Sequence, residues 1–315
     1  MIRRQRFLTE GIYHLLFNLY GSIEESLKAT PPMADSAEEA ASISSWFVQS
    51  SKLKILFLEY TAGKDIDLLI PMLEVLIDAY EVRQTALAKK NNLPGISPLA
   101  IDDYLDQYEE CIQVISLCVL LNQKILMERF VKLIDSAGYK GEDALYECLL
   151  MKILPEREEV DGWYHENYRK LILSIDAESP AEAATLLREY CNEWYSSFDR
   201  APWHDSHLGE DDQGYVGYWA FEAAAIAYLY DIDDSKITHM VYPKDLVEYA
   251  RNSSRGDSLC GPGRVSANNP CPKTGYWFSS AQSESKRYFK QGEIMPEFKG
   301  SSWGSTIWYW SGENE

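Results

Sequence analysis

The segment from Tyr215 to Tyr230, YVGYWAFEAAAIAYLY, constrains the fold more than any other part of the chain. Read as a helix, it is apolar on nearly every side, with Glu222 as its one carboxylate. Such a helix cannot rest on a surface; other elements have to enclose it. Its alanines let those neighbours come close. The rest of the chain must supply the wrapping. With 315 residues, 46% hydrophobic and 13% aromatic, it has ample material for a large core.

The wrapping elements read as helices. The start, Met1-Ile2-Arg3-Arg4-Gln5-Arg6, is basic like the front of a secretory leader, but Glu10, His14 and Asn18 interrupt any apolar stretch behind it. Leu8, Ile12, Leu15, Leu16, Leu19 and Ile23 recur instead at helical spacing, which predicts a core-facing helix. Ser36 and Glu39 have the spacing of a capping box, in which the hydroxyl bonds forward and the carboxylate reaches back. The helix they open carries Ile43, Trp46, Phe47, Leu53, Phe57 and Leu58 on its predicted inner stripe and stops at Gly63. A further helix is expected from Asp65 to about Lys90, broken by Asn91-Asn92-Leu93-Pro94-Gly95.

Ser97 and Pro98 read as the N-cap and first turn of the next helix, with Tyr104, Tyr108, Cys111, Ile115, Cys118, Val119 and Asn122 inward. Shorter helices are expected over about 124–136 and 141–154, followed by the charged connection Pro155-Glu156-Arg157-Glu158-Glu159. Ser179-Pro180-Ala181-Glu182 joins N-cap, proline and back-reaching carboxylate in the sharpest start signal of the chain, ahead of Leu186, Leu187, Tyr190, Cys191, Trp194 and Phe198. Pro243 opens a short helix from Lys244 to about Arg251.

Near Asn252 the character changes. Glycine, proline, serine and asparagine become frequent, and Arg255, Arg264, Lys273, Lys286, Arg287, Lys290 and Lys299 offset the acids. Tyr276-Trp277-Phe278 and Thr306-Ile307-Trp308-Tyr309-Trp310 read as short strands. The predicted fold is thus mainly α, a multi-helix bundle around a central apolar helix with a small β-containing tail. Residues 1–251 form an acidic helical domain, and residues 252–315 a Gly/Pro/Trp-rich tail packed on it.

A formal net charge of −19 and a pI near 4.7 bear on partners. Phosphate binding needs a basic face, so nucleic acid is not an expected partner, and an anionic membrane is disfavoured for the same reason. A cationic protein is attracted and its arrival accelerated. Without a C-x-x-C anywhere, a zinc ribbon is not expected; buried free thiols at Cys111, Cys118, Cys148 and Cys191 fit a reducing cytoplasm, while a Cys260–Cys271 bridge stays open.

Chemistry-bearing groupings are few. His204, Asp205 and His207 offer metal-donor atoms, but His-x-x-His is not the i, i+4 pair of a zinc helix and no third ligand announces itself. There is no P-loop or G-x-G-x-x-G. Glu222 has to be paired or protonated, through a backbone amide, a tyrosine hydroxyl, or a cation such as Lys244 or Arg251. What remains is an acidic grouping at the two sequence ends of the apolar helix: Asp205, Glu210, Asp211 and Asp212 before it, Asp231, Asp233 and Asp234 after it, with Trp203 as an aromatic anchor. These eight residues are the predicted partner-binding set; no catalytic residue, metal or cofactor is predicted.

Two stretches resemble known proteins. Tyr218-Trp219-Ala220-Phe221-Glu222-Ala223-Ala224-Ala225, Asp231-Ile232-Asp233-Asp234-Ser235 and Tyr242-Pro243-Lys244-Asp245-Leu246 resemble the C-terminal half of helical immunity proteins from polymorphic toxin systems, among them the PoNi-type inhibitors of toxin nucleases. The tail, with Cys271-Pro272-Lys273-Thr274-Gly275-Tyr276-Trp277, the run Arg287–Pro296 and Gly304-Ser305-Thr306-Ile307-Trp308-Tyr309-Trp310, is similar to the tryptophan-rich end of some immunity proteins linked to Rhs and type VI secretion toxins. The resemblance implies a cytoplasmic, non-catalytic protein that neutralises one cognate toxin domain, often a nuclease, by binding it. A homodimer is left open. The rival readings are an adaptor or chaperone that loads a secreted effector, and a metal-dependent hydrolase using His204, Asp205 and His207.

Overall fold

The computed structural model describes residues 3–209, 214–256, 264–279, 285–298 and 306–310. The chain forms two compact units, Met1–Ala250 and Arg251–Glu315. It is mainly helical, as the periodicity predicts. The helices are α1 (Glu10–Ala29), α2 (Ala37–Thr61), α3 (Ile70–Asn91), α4 (Leu105–Leu120), α5 (Lys124–Asp135), α6 (Ala144–Met151), α7 (Arg169–Ile175), α8 (Pro180–Ser197), α9 (Phe221–Leu229) and α10 (Lys244–Gly256).

The start signals act as the capping rules require. Ser36 Oγ accepts from the Glu39 amide at 3.1 Å, and Ser179 Oγ from the Glu182 amide at 3.3 Å. In both boxes the glutamate reaches one residue beyond the cap, to the amides of Asp35 and Glu178. Each box satisfies donors that the first helical turn leaves open. At the other end of α3, Asn92 takes the left-handed conformation (φ 49°) that closes the helix. α1 and α2 run antiparallel, tied by the Tyr13 hydroxyl to Glu59 at 2.9 Å and by Lys52 to Glu24 at 3.5 Å.

α4 and α9 form the centre. Tyr108 to Leu120 of α4 are buried, Glu110 apart, and so are Phe221 to Ala227 of α9, which packs against it. Enclosure of the apolar segment is therefore observed, but its helix is shorter than predicted. Residues 214–220 are irregular rather than helical. The reason is that side chains from elsewhere take over their backbone polar groups. Gln5 accepts from the Tyr218 amide and donates to the Tyr218 and Met240 carbonyls; Thr61 donates to Val216 O; Gln113 donates to Trp219 O. Gly217, at φ 121°, makes the bend.

Other expectations shift too. Ser97 does not cap α4: its hydroxyl accepts from Leu99 two residues on, and the helix begins at Leu105. This is the local side-chain turn with which serine competes against a helix start. Trp46 and Phe47 lie largely exposed, as do Leu15 and Leu19 of α1, so the inward stripes there are narrower than the sequence pattern suggests. α10 continues to Gly256, beyond the predicted Arg251.

The second unit holds an antiparallel sheet of β1 (Arg264–Ser266), β2 (Gly275–Phe278), β3 (Arg287–Phe289) and β4 (Ile307–Trp310), in the order β1-β4-β2-β3. β2 and β4 are the strands read from the sequence; β1 and β3 are additions. Trp277, Phe289, Trp308, Met295 and Cys271 make its core. The indoles satisfy their N–H groups locally, Trp277 on Lys273 O at 3.0 Å and Trp308 on Pro296 O at 2.8 Å. Cys111, Cys118, Cys148, Cys191 and Cys271 are buried free thiols; Cys260 lies outside the described residues.

Candidate partner-binding site

The segment between α8 and α9 carries most of the candidate residues, and its first part, residues 198–208, is built from turns. Its anchor is Trp203, half-buried, whose ring stacks on Trp194 of α8 with centroids 4.8 Å apart and planes 11° apart. The Trp203 Nε1–H donates to Glu109 Oε2 on α4 at 2.8 Å. Asp205 follows in a left-handed conformation (φ 61°) and is exposed. It accepts from the Tyr195 hydroxyl at 2.5 Å, and that bond holds its carboxyl below the usual range. Glu210, Asp211 and Asp212 lie outside the described residues.

The acids beyond α9 are arranged differently. Asp231 (φ 52°) and Asp233 are exposed, and Asp233 accepts from the Ser235 amide at 2.9 Å in a local turn. Asp234 is buried, 6% exposed, and accepts from the Tyr242 hydroxyl at 2.7 Å. In sequence Asp205 precedes α9 and Asp231 and Asp233 follow it, and they bond separately: Asp205 to Tyr195 of α8, Asp233 to the amide of Ser235.

His204 and His207 are occupied separately. The His204 ring stacks on Tyr195 at 4.1 Å and its Nδ1 is 3.5 Å from Asp205 Oδ2. His207 Nδ1 meets the Tyr218 hydroxyl at 2.8 Å, and its ring packs on Phe7 at 4.4 Å. Among the described residues no group of three His, Cys, Asp or Glu side chains is placed to hold a metal.

Beneath Trp203 lies a feature the sequence does not show. Glu222 is 1% exposed, and its Oε1 accepts from the Tyr190 hydroxyl at 2.7 Å and from Trp194 Nε1 at 2.8 Å. Its partners are thus a tyrosine and an indole rather than Lys244 or Arg251. Glu109, 5% exposed, accepts from Trp203 and, at 3.1 Å, from Gln113. The two stacked indoles therefore each donate to a different buried carboxyl. Burial pushes Glu109 up to about 8 and Glu222 to about 7, and the nearby Glu222 raises Glu109 further. Glu222 Oε2 and the hydroxyl of Tyr168, itself 1% exposed, have no hydrogen-bond partner. Glu222 is conspicuous in the sequence as an acid in an apolar run; Glu109 is not, because α4 is buried on all sides and its polar residues follow no period.

The raised carboxyls set a pH dependence. Unfolded, both titrate near the usual 4.5. From there up to about pH 8 the folded chain holds more protons than the unfolded one, so this contribution to stability is full at the acid end, falls as pH rises and is level above pH 8. Glu222→Gln, which keeps the acceptor without the charge, is expected to stabilise the protein at pH 8 by on the order of 2–3 kcal/mol and to leave it little changed at pH 5. Urea midpoints at the two pH values measure this; an equal shift at both would refute the assignment.

Residues 141–246, from the start of α6 into α10, match the family model described as the C-terminal region of PoNe immunity proteins (PoNi). The matched segment contains Trp194, Trp203, Asp205, Glu222 and Asp231 to Asp234. The match covers about a third of the chain, and it is a similarity to that immunity-protein family over those residues. The chain matches no curated protein sequence. Among solved structures it is similar to the crystal structure of protein PA2201 from Pseudomonas aeruginosa, with a TM-score of 0.60 and 18% identity over 80% of this chain and 92% of that one. That likeness is one of fold.

Proposed function

We propose that this chain is an immunity protein that binds and neutralises a cognate toxin domain, a nuclease of a type VI or other polymorphic toxin system, in the cytoplasm and without a catalytic step. The match over residues 141–246 carries the reading, and it spans the turn-rich segment and both ends of α9. The proposed docking face is Trp203, Asp205, Asp231 and Asp233, together with Glu210, Asp211 and Asp212; Asp234 supports it from below by holding Tyr242. A toxin nuclease needs a cationic cleft for phosphates, and a carrier of −19 net charge is steered towards it. No helix among the described residues is long and apolar enough to cross a membrane, so nothing in them competes with association in water.

The decisive experiment is rescue. Cells that express the toxin encoded beside this chain's gene are expected to survive only when the chain is co-expressed. Failure to protect them defeats the reading. In vitro, charge reversal of Asp211 and Asp212 together is expected to lower the association rate about tenfold at low salt and far less at 0.5 M salt, because steering by exposed charges is screened. A loss that is the same at both salt concentrations argues that these residues do not steer the encounter.

A further inference from the structure

The Glu109–Glu222 pair is unusual in what it lacks. Two carboxyls from separate helices sit within electrostatic reach of each other and of the Tyr168 hydroxyl, all three at most 5% exposed. Among the described residues, every hydrogen bond to them comes from a neutral group: Gln113, Tyr190, Trp194, Trp203 and the backbone amide of Glu222 itself. Buried carboxylates ordinarily persist by pairing with a cation, and here none is supplied. Two buried polar atoms of this group, Glu222 Oε2 and Tyr168 Oη, have no hydrogen-bond partner among the described residues.

What fills the place of the cation is an indole. Trp203 is planar, donates one N–H to Glu109, and lies flat on Trp194. A guanidinium is also planar. It donates several N–H groups to carboxylates and stacks on aromatic faces, tryptophan best of all. Trp203 is half-exposed and rides on a stretch of turns, so its indole links the buried Glu109 carboxyl to the surface.

Resting on the immunity reading above, we propose that Glu109, Glu222 and Tyr168 form an acceptor site for an arginine side chain of the toxin. This arginine displaces the Trp203 indole, takes its place on the face of Trp194, and bonds the two carboxylates and the unpartnered tyrosine oxygen. At pH 7 the free protein holds Glu109 largely neutral and Glu222 about half so; arrival of the cation drives both to ionise. Docking is therefore coupled to release of protons. This gives a cationic partner something the exposed aspartates cannot, a desolvated charge pair, and such pairs dominate the slow dissociation of protein complexes.

The test is calorimetric titration of the toxin domain into the full chain at pH 7, in two buffers of different ionisation enthalpy. The expected result is a difference between buffers equivalent to release of about one proton per complex. The Glu109→Gln, Glu222→Gln double variant is expected to remove that difference and weaken binding at least a hundredfold. It should do so while unfolding in urea no earlier than the parent, since the amides remove the cost of burying a charge. Substituting the toxin's arginines by alanine one at a time should reveal one that abolishes proton release in the parent and costs nothing further against the double variant. Tight binding with the same enthalpy in both buffers, undiminished in the double variant, overturns the proposal and leaves the immunity reading standing. Absence of binding by the unaltered chain overturns both.

Discussion

Gly217→Ala is expected to cost more than about 4 kcal/mol and to leave little folded protein at 37 °C. Two costs combine. The residue sits at φ 121°, where an L side chain is strained whatever space surrounds it. A Cβ there would also fall on Thr61 Oγ1 and Trp219 Nε1, well inside contact distance, and within 2.8 Å of Trp219 Cδ1. Neither neighbour can withdraw cheaply. Trp219 is 4% exposed and donates to Thr61 Oγ1 at 2.8 Å, while Thr61 donates in turn to Val216 O. Gly138→Ala supplies the control. Gly138 has φ 95° but nothing within 4 Å of the added atom, so it should lose only the conformational part, about 1–2 kcal/mol. Urea unfolding of the two variants side by side separates clash from strain. Equal losses would mean that the close approach of the 214–220 segment to α2 is not what requires glycine.

The same segment shows why part of the structure was legible in the sequence and part was not. Residues whose partners are three or four positions away were readable: the Ser36 and Ser179 boxes, the Asn92 stop and the enclosure of Phe221 to Ala227 all follow from local chemistry and period. Where distant side chains satisfy the backbone, the pattern misleads. Tyr215 to Ala220 has the composition of a helix, yet Gln5, more than two hundred residues away, keeps it out of one. Nothing marks Gln5 in a basic N-terminal run as a core residue, although it is 3% exposed. The candidate site divides the same way. Asp205, Asp231 and Asp233 are exposed, as solvated acids in loops should be. Asp234 has the same sequence context but faces inward, because Tyr242 eight residues on offers a hydroxyl. Glu109 and Tyr168 join Glu222 only through the packing of separate helices, a relation that one sequence cannot display.

Arg157 carries the second large expectation. In the sequence it belongs to a charged connection, flanked by Glu156, Glu158 and Glu159, where a solvated arginine is the natural reading. In the fold its side chain is 5% exposed and pairs with Glu147 at 3.0 Å and with Asp135. Its guanidinium also lies over the Tyr146 ring at 5.6 Å, and the Tyr146 hydroxyl donates to Asp135 at 2.9 Å. Glu147 is 1% exposed, receives the Gly141 amide on Oε1, and has no partner for Oε2. Arg157→Ala therefore strands a carboxylate in the interior beside a second one. Breaking one side of a buried pair costs about 3–5 kcal/mol, because the remaining charge loses its compensation and not merely a contact. Arg157→Lys should recover only part of this, since one ammonium cannot fork between two carboxylates as a guanidinium does. The informative variant is Arg157→Met combined with Glu147→Gln, which removes the charge along with the cation that balanced it. If stranded charge is the cause, the double variant unfolds at higher urea than Arg157→Met alone. If the two unfold together and both above Arg157→Ala, the arginine serves chiefly to fill space between α5 and α6.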